Sequence, residues 1–192
     1  FLATLEETGC VGNKTGWQPA HLILRETGHT EICGAMPLYL KRHSYGEYVF
    51  DWAWAEAYNQ NGLQYYPKAL CAIPFTPVQG SRILAHSAEM RTALVHGLKQ
   101  LVKQNDLSSA HVLFPLEASL SALVADGFLL RNAVQFHWHN QDFQSFEEFL
   151  SALTMKRRKN IRREREQVAK EAITFRHVPG KESSDQDWEF FF

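Results

Sequence analysis

The alternation of extended apolar segments with segments of helical period constrains the fold most strongly. Residues 87–104 carry apolar side chains at three- and four-residue spacing, and Ser87 is placed as an N-cap. A short apolar strand over residues 110–114 follows, and then a second amphipathic helix that ends at Gly127. Strands that alternate with helices predict an α/β domain with a mixed sheet flanked by helices.

The other extended segments allow a first topology to be predicted. They are residues 17–25, 31–41, 65–75 and 128–138. The turn signal at 27–30 favours a hairpin between the first two segments, and residues 1–7 favour a short helix. Residues 43–59 show no clear period and are predicted to form a long loop. The prolines around the third segment are typical of an edge or splayed strand.

The pattern of apolar and charged residues changes after Asn140. Residues 146–153 form a small apolar helical patch, residues 156–171 a highly charged helix, and residues 173–178 a strand-like segment. We therefore expect one domain over residues 1–140 and the beginning of a second, incomplete domain over residues 141–192.

Positive charge is concentrated in one segment. The chain has a net charge of −1, yet Lys156–Arg165 holds seven basic residues against Glu164 alone. Arg158, Arg162 and Arg165 are spaced so that they share a helix face, which predicts a site for nucleic-acid phosphates, tRNA among them. An anionic lipid surface and a plain solvated helix are the alternatives.

The cysteines, the histidines and the lengths of the apolar runs indicate the compartment of the protein and whether it has metal sites or membrane spans. The three cysteines are widely spaced without a CxxC pair, which is typical of a reducing compartment, and we expect a cytoplasmic protein. No apolar run reaches the roughly 18 residues of a membrane span. His137 and His139 share one side of an extended segment but lack a third ligand, so we expect no metal site.

Three sequence blocks carry a resemblance to a known family. They are residues 37–52, residues 65–82 with Tyr65-Tyr66-Pro67-Lys68 and Pro74-Phe75-Thr76-Pro77, and residues 156–165. Together they resemble the bacterial FemAB-like family of N-acyltransferases, associated with peptidoglycan biosynthesis or recognition and with the GNAT superfamily. The resemblance implies a GNAT-like domain followed by the start of a second GNAT-like half. It also implies transfer of an acyl or aminoacyl group to an amine, for instance of a peptidoglycan precursor or another small molecule or peptide. The donor would be acyl-CoA, such as acetyl-CoA, or an aminoacyl-tRNA.

The resemblance places the donor in the loop between the third extended segment and the helix that begins near Ser87. Backbone N–H groups at such a junction bind anions. The predicted donor contacts are Thr76, Val78, Gln79, Gly80, Ser81 and Arg82. Arg82 stands where the GNAT motif, counted from Gln79, has its first glycine. A plain strand-to-helix turn is the alternative interpretation.

The segment over residues 43–52 combines acids and aromatics and is the predicted acceptor site. Acyl transfer needs a base to deprotonate the amine, and Glu47 is the first choice, Asp51 the second and His43 the third. The predicted substrate contacts are Ser44, Tyr45, Trp52, Tyr66 and Lys68. A solvated edge-strand lysine is the alternative for the last of these. Residues 114–117 lack the tyrosine that GNAT enzymes often use as acid, so the acid is unassigned. A non-catalytic module that recognises a cell-wall precursor or peptide is the competing function.

Overall fold

The computed structural model describes residues 1–171 and 173–191. By its internal contacts the chain divides into two compact units, Phe1–Asn132 and Ala133–Phe192. The domain boundary near residue 140 stays a prediction. The mixed α/β character that the sequence predicts is confirmed.

The first unit contains seven strands in two sheets and four helices within the described residues. The strands are β1 Trp17–Pro19, β2 Leu22–Arg25, β3 Ile32–Met36, β4 Tyr39–Lys41, β5 Lys68–Cys71, β6 Leu84–Ala85 and β7 Ala110–Val112. The helices are α1 Leu2–Glu7, α2 Trp52–Gln60, α3 Ala88–Gln104 and α4 Glu117–Ala125. One sheet has the order β1-β4-β5-β7 and the other the order β2-β3-β6. Only the β5–β7 pair is parallel.

The predicted hairpin is confirmed, but each of its arms contributes to both sheets. β2 pairs with β3 in one sheet, while β1 pairs with β4 in the other. The first arm passes from one sheet to the other at Ala20-His21, and the second arm does so at Pro37-Leu38. Pro37 has no N–H to donate, so it interrupts the strand pairing at this point. The backbone N–H of Ala20 donates to the carbonyl of Leu38 at 2.8 Å, and that of Leu38 donates to Nδ1 of His21 at 3.0 Å.

The prediction of a loop over residues 43–59 is wrong in its second half, because α2 begins at Trp52. The helix was missed since it carries no apolar stripe: Trp52 and Trp54 are both exposed. Its alanines favour a helix without marking a face. Gly62, at a φ of 71°, ends the helix, and the N–H of Leu63 closes on the carbonyl of Tyr58 at 2.9 Å.

Strand β5 is the central strand of its sheet rather than an edge. It lies between β4 and β7, and all four of its residues are buried. The prolines that suggested an edge lie outside it, at Pro67 and Pro74. Two other predicted strands, over residues 128–138 and 173–178, pair with no strand in the described part of the chain.

The two faces of β5 are packed differently. Ala69 and Cys71 face a core completed by α3 and α4, whereas Leu70 faces a second cluster with Trp17 and Tyr39. Side chains alternate along a strand, so Lys68 shares the face of Leu70. A lysine therefore enters the interior beside an aromatic cluster, and its charge must be neutralised there.

The regular elements among the described residues of the second unit are helices. Its helices are α5 Phe146–Ser151, α6 Met155–Lys170 and α7 Asp185–Phe191. The side chain of Ser145 caps α5 by accepting from the N–H of Glu148 at 3.2 Å. The predicted helices over residues 146–153 and 156–171 are both present.

Truncating a leucine of α3 tests the first core. Leu98 is fully buried, so Leu98→Ala should lower the free energy of unfolding by about 2–5 kcal/mol. Leu129→Ala is the matched control, because Leu129 is 97% exposed and its loss should change stability by less than about 0.5 kcal/mol. Urea denaturation of both variants measures the difference; equal losses would contradict this packing.

Candidate functional site

Two buried lysines lie directly opposite each other in the four-stranded sheet. Lys41 of β4 and Lys68 of β5 are register partners, and neither side chain is exposed. Like charges at opposed positions of neighbouring strands repel. The lysines therefore require acidic partners close by, and the segment between β4 and α2 supplies them.

Lys68 makes three polar contacts through its ammonium group. Its Nζ donates to Glu47 Oε2 at 2.9 Å, to Asp51 Oδ2 at 2.5 Å and to Ser44 Oγ at 2.8 Å. An ammonium group has three hydrogens to donate, so these contacts use all of them. Lys68 is thus a fully satisfied buried cation, and the alternative of a solvated lysine on an edge strand is wrong.

Lys41 is bound more loosely. Its Nζ lies 3.6 Å above the Trp17 ring, donates to the carbonyl of Tyr45 at 3.2 Å and lies 3.9 Å from Glu47 Oε1. Burial first, and then the nearby charge of Lys68, lower the pKa of Lys41 to about 7 against the opposing pull of Glu47 and Asp51. Lys41 therefore changes its charge near neutral pH.

The environments of the two carboxyl groups push their pKa values apart. Burial raises the pKa of Glu47, and the charge and hydrogen bond of Lys68 only partly offset this effect. Burial also acts to raise the pKa of Asp51, but hydrogen bonds from Lys68, Ser44 and Tyr65 together lower it below its usual value. Such a separation is the pattern by which one acid becomes a proton acceptor while its neighbour stays ionised.

Each carboxyl group also has one buried oxygen without a hydrogen-bond partner. Glu47 Oε1 and Asp51 Oδ1 are both inaccessible and accept no hydrogen bond from the described residues. Buried polar atoms are nearly always satisfied, so two unpartnered oxygens in one cluster make this cluster a candidate for a functional site.

The backbone of the loop turns these acids inward. Gly46 has a φ of 79°, and a Cβ placed on it would lie 2.6 Å from the Phe75 ring, so glycine is required. Tyr48 also has a positive φ, of 58°. As a result Glu47 points into the interior, while Tyr45 and Tyr48 are exposed.

The predicted acceptor residues fall into two groups. Ser44 belongs to the buried cluster, and its Oγ lies 2.8 Å from the hydroxyl of Tyr66. Tyr45 and Trp52 form an exposed rim, with ring centroids 5.4 Å apart. His43 lies apart from the acids: its Nε2 lies 2.9 Å from the carbonyl of Thr15, and its Nδ1 accepts from the N–H of Tyr45 at 3.2 Å.

The predicted donor loop is held by its own arginine. Arg82 is buried, with Nε donating to the carbonyl of Leu113 at 2.7 Å and Nη2 to that of Val78 at 2.6 Å. Gly80 lets the guanidinium approach, since a Cβ there would lie 2.8 Å from Nη1 of Arg82. Arg82 therefore builds the loop, and its guanidinium does not face outward. Gln79 is exposed beside it.

The other members of the donor loop are placed as follows. Ser81 and Val78 are exposed, while Thr76 is half-buried and its Oγ1 donates to the carbonyl of Pro74 at 3.0 Å. α3 begins where predicted, and Ser87 Oγ accepts from the N–H of Met90 at 3.2 Å. The prediction that this loop leads directly into the helix is wrong, because strand β6 lies between them and pairs with β3 in the other sheet.

In the second unit, the predicted basic stripe faces α5. Arg162 donates to Glu147 Oε2 at 2.5 Å, the guanidinium of Arg165 lies 4.6 Å from the centre of the Phe146 ring, and Arg158 is half-buried. The exposed basic residues on the opposite side of α6 form no ion pair within residues 1–171 and 173–191. They are Lys156, Lys159, Arg163 and Lys170.

Comparison with protein families decides the relationship of the chain. A family model described as peptidoglycan biosynthesis/recognition matches residues 1–192. The chain belongs to the FemAB-like family. No curated protein and no solved structure matches it.

Two further observations on this FemAB-like chain concern metal ligands and membrane-spanning helices. Across the described ranges, no three His, Cys, Asp or Glu side chains are placed to hold a metal ion. His137 and His139 stack on each other, with ring centroids 6.3 Å apart. None of the helices in the same ranges has both the length and the apolar character needed to cross a bilayer.

Sequence reasoning missed three residues of the buried cluster. Lys41, Tyr65 and His111 lie on or beside strands whose pairing brings them to the face of Lys68. The one signal available was alternation: Lys41 lies two residues from Tyr39 and so shares its face. Only the pairing of Lys41 with Lys68 in the sheet shows that this face lies beside Glu47 and Asp51.

The two lysines should respond oppositely to replacement by methionine. Lys68→Met leaves two buried carboxyl groups without their cation and should lower the free energy of unfolding by about 3–5 kcal/mol. Lys41→Met removes a poorly compensated ammonium group and should be neutral or stabilising at neutral pH. Equilibrium denaturation measures both, and equal losses would contradict the assignment of Lys68 as the satisfied cation.

Lys41 should also make stability depend on pH. Its pKa is about 7 in the folded chain and about 10.5 in the unfolded chain. The unfolded state therefore binds more protons between these values, and stability rises with pH in that interval. The free energy of unfolding of the wild type, measured relative to Lys41→Met, should increase from about pH 7 to about pH 10. A constant difference would show that Lys41 titrates normally.

Proposed function

We propose that this FemAB-like chain belongs to an N-acyltransferase that transfers an acyl or aminoacyl group to an amine, with Glu47 as the general base. The observation that supports this most directly is the state of Glu47. Its carboxyl group is buried, one oxygen is bound to Lys68, and the other has no hydrogen-bond partner among the described residues. The acceptor is a small-molecule or peptide amine, for which a peptidoglycan precursor fits the family description.

The chemistry starts with an acceptor amine that is protonated in water. Glu47 Oε1 takes a proton from the ammonium group, and the raised pKa of Glu47 makes this transfer less uphill. The free amine then attacks the acyl carbon, an amide bond forms, and the ester of aminoacyl-tRNA or the thioester of acyl-CoA breaks. Glu47 keeps the first proton of the ammonium group, and the nitrogen loses a second proton as the amide forms. The departing alcohol or thiol acquires that second proton.

Access to Glu47 would run beneath the exposed aromatic rim. Tyr45, Tyr48, Phe50 and Trp52 surround the loop at the surface, and at least 46% of each side chain is exposed. Aromatic faces of this kind hold the apolar part of a ligand. Because Glu47 is only 3% exposed, the acceptor must displace part of the loop to reach it.

The donor is proposed to bind beside the exposed members of the loop over residues 76–82. Gln79 and Ser81 are free to contact its phosphates, and Arg82 keeps the loop in shape through the carbonyls of Val78 and Leu113. Either acyl-CoA or aminoacyl-tRNA meets this requirement, since both carry phosphate groups.

Replacing the proposed base separates an enzyme from a recognition module. Glu47→Gln keeps the shape of the side chain but removes its basicity, so turnover should fall about 10²–10⁴-fold while acceptor binding persists. Glu56→Gln is the matched control, because Glu56 is an exposed residue of α2. Initial rates of the complete protein with acetyl-CoA, and separately with charged tRNA, measure turnover.

Two results would reject the proposal. Turnover that survives Glu47→Gln would exclude Glu47 as the base. If the complete protein binds neither donor but still binds a cell-wall precursor, the chain is a recognition module. That alternative uses the same aromatic rim but needs no base, so it does not require the ligand to reach the buried acids.

RNA binding is a second candidate function, and the exposed side of α6 favours it. Lys156 lies in the first turn of α6, where positive charge opposes the helix dipole, so its placement is not explained by helix stability. Together with Lys159, Arg163 and Lys170 it forms a row of cations without acidic partners among the described residues. Met155 is the exposed large apolar residue beside this row, and one such side chain is far less than the apolar face of a membrane-inserting helix.

Two triple variants of α6 with equal charge change test this function. Lys156, Lys159 and Arg163, all changed to Gln, should weaken tRNA binding more than tenfold and lower its salt dependence by about three phosphate contacts. Arg158, Arg162 and Arg165, all changed to Gln, should have a much smaller effect because these residues face α5. Filter binding at several salt concentrations measures the tRNA affinity of both variants. Equal losses of affinity would show that binding depends on the net charge of the helix and not on one side of it.

A further inference from the structure

The buried cluster contains a hydroxyl group to which the proposed reaction assigns no role. Tyr65 is 6% exposed, and its hydroxyl donates to Asp51 Oδ2 at 2.7 Å. Lys68 donates to the same oxygen at 2.5 Å. Glu47, the other acid beside Lys68, accepts a hydrogen bond from Lys68 alone among the described residues. Asp51 therefore has two hydrogen-bond donors that Glu47 lacks, the hydroxyl groups of Tyr65 and Ser44.

The orientation of this hydroxyl is set by β7. Nε2 of His111 lies 3.3 Å from the Tyr65 oxygen and 2.9 Å from Ser109 Oγ. The single hydrogen of the Tyr65 hydroxyl is donated to Asp51, so any hydrogen bond between Tyr65 and Nε2 of His111 is donated by the imidazole. Ser109 Oγ contacts the same nitrogen, and the tautomer decides the direction of both contacts. The imidazole also packs edge-on against the Tyr65 ring, with ring centroids 6.2 Å apart, and so limits the positions that the Tyr65 side chain can take beside Asp51.

We propose that Tyr65, oriented by His111, is a positioning residue that assigns the role of base to Glu47 and not to Asp51. The Tyr65 hydroxyl stabilises the ionised form of Asp51, which keeps a negative charge against Lys68. Glu47 is then the acid of the pair that exchanges its proton. This inference rests on the proposed role of Glu47 and adds the residue that selects it.

The charges around Asp51 agree with this assignment. Burial lowers the pKa of His111 to about 4, so the imidazole is neutral near pH 7. Burial and the bond to Asp51 raise the pKa of Tyr65 well above its usual value, so the hydroxyl keeps its hydrogen. The other groups that face the cluster are Lys68 from β5, Lys41 from β4, Ser44 and Glu47 from the loop, and Arg131 near His111.

The neighbouring tyrosine offers a matched control. Tyr66 also lies beside Lys68, with its ring centre 5.7 Å from Nζ, against 5.3 Å for Tyr65. Its hydroxyl, however, contacts Ser44 Oγ at 2.8 Å and not an acid. Tyr65→Phe and Tyr66→Phe therefore remove the same atom from adjacent residues, but only the first removes a donor from Asp51.

The experiment is a ¹³C NMR titration of the side-chain carboxyl groups in the 192-residue chain. In the wild type, Asp51 should titrate below the usual pKa of about 3.9 and Glu47 above about 4.3. Tyr65→Phe should raise the proton affinity of Asp51 about tenfold and so bring the two titrations closer together. His111→Phe should shift Asp51 in the same direction by less. Tyr66→Phe should also shift it less than Tyr65→Phe, because the Tyr66 hydroxyl reaches Asp51 only through Ser44.

A second variant covers the case in which Tyr65→Phe does not fold. Fluorotyrosine at position 65 keeps the ring and the hydroxyl but makes a stronger donor, so it should lower the pKa of Asp51 further. An unchanged Asp51 titration with fluorotyrosine or in Tyr65→Phe, or an equal shift in Tyr66→Phe, would overturn the proposal. The titration involves no substrate. A failure of acyl transfer would therefore refute the proposed function and leave this result standing.

Discussion

The charge of Lys68 is the constraint on which the first unit depends. Lys68 lies on the central strand of the four-stranded sheet and is fully buried. An ammonium group transferred from water to a protein interior costs several kcal/mol unless it is paired and hydrogen-bonded. The segment between β4 and α2 meets this requirement with two carboxyl groups and one hydroxyl. Its irregular backbone, with positive φ at Gly46 and Tyr48, is the geometry that brings them there.

The start of α2 also shows that pairing with Lys68 determines the local structure. Asp51 occupies the N-cap position, where its side chain would ordinarily accept a backbone N–H of the first turn. It makes no such bond, because its carboxyl group is bound to Lys68 and Tyr65. Neutralising the buried lysine therefore takes precedence over capping the helix. The result is a cluster with unequal acids, one held ionised and one able to exchange a proton.

The sequence predicted the regular elements well where one local signal was strong. α3 begins after its Ser87 cap, α4 ends before Gly127, and β2 and β3 form the expected hairpin. α2 escaped prediction because its exposed tryptophans leave no apolar stripe. The prolines around β5 suggested an edge strand, although they bound a central one. These errors share a cause, since burial is set by neighbouring elements and not by the segment itself.

The candidate site was predicted in outline. Ser44, Tyr66 and Lys68 were expected beside Glu47 and Asp51, and the structure places all five in one cluster. His43 was expected there too, but its ring nitrogens bind the backbone. In the other predicted site, Arg82 serves the fold of its own loop. The basic helix was recognised, although the face that the sequence singled out is the one turned toward α5.

Local chemistry alone determined the α/β class, the main helices with their caps and the family to which the chain belongs, because these depend on residue order over short distances. Tertiary structure decided which charges are buried, which acid is held ionised and which side of α6 is free. Those properties depend on strand register and on contacts between distant segments, such as Lys41 with Lys68 and Asp51 with Tyr65. No short stretch of sequence contains both partners of such a contact.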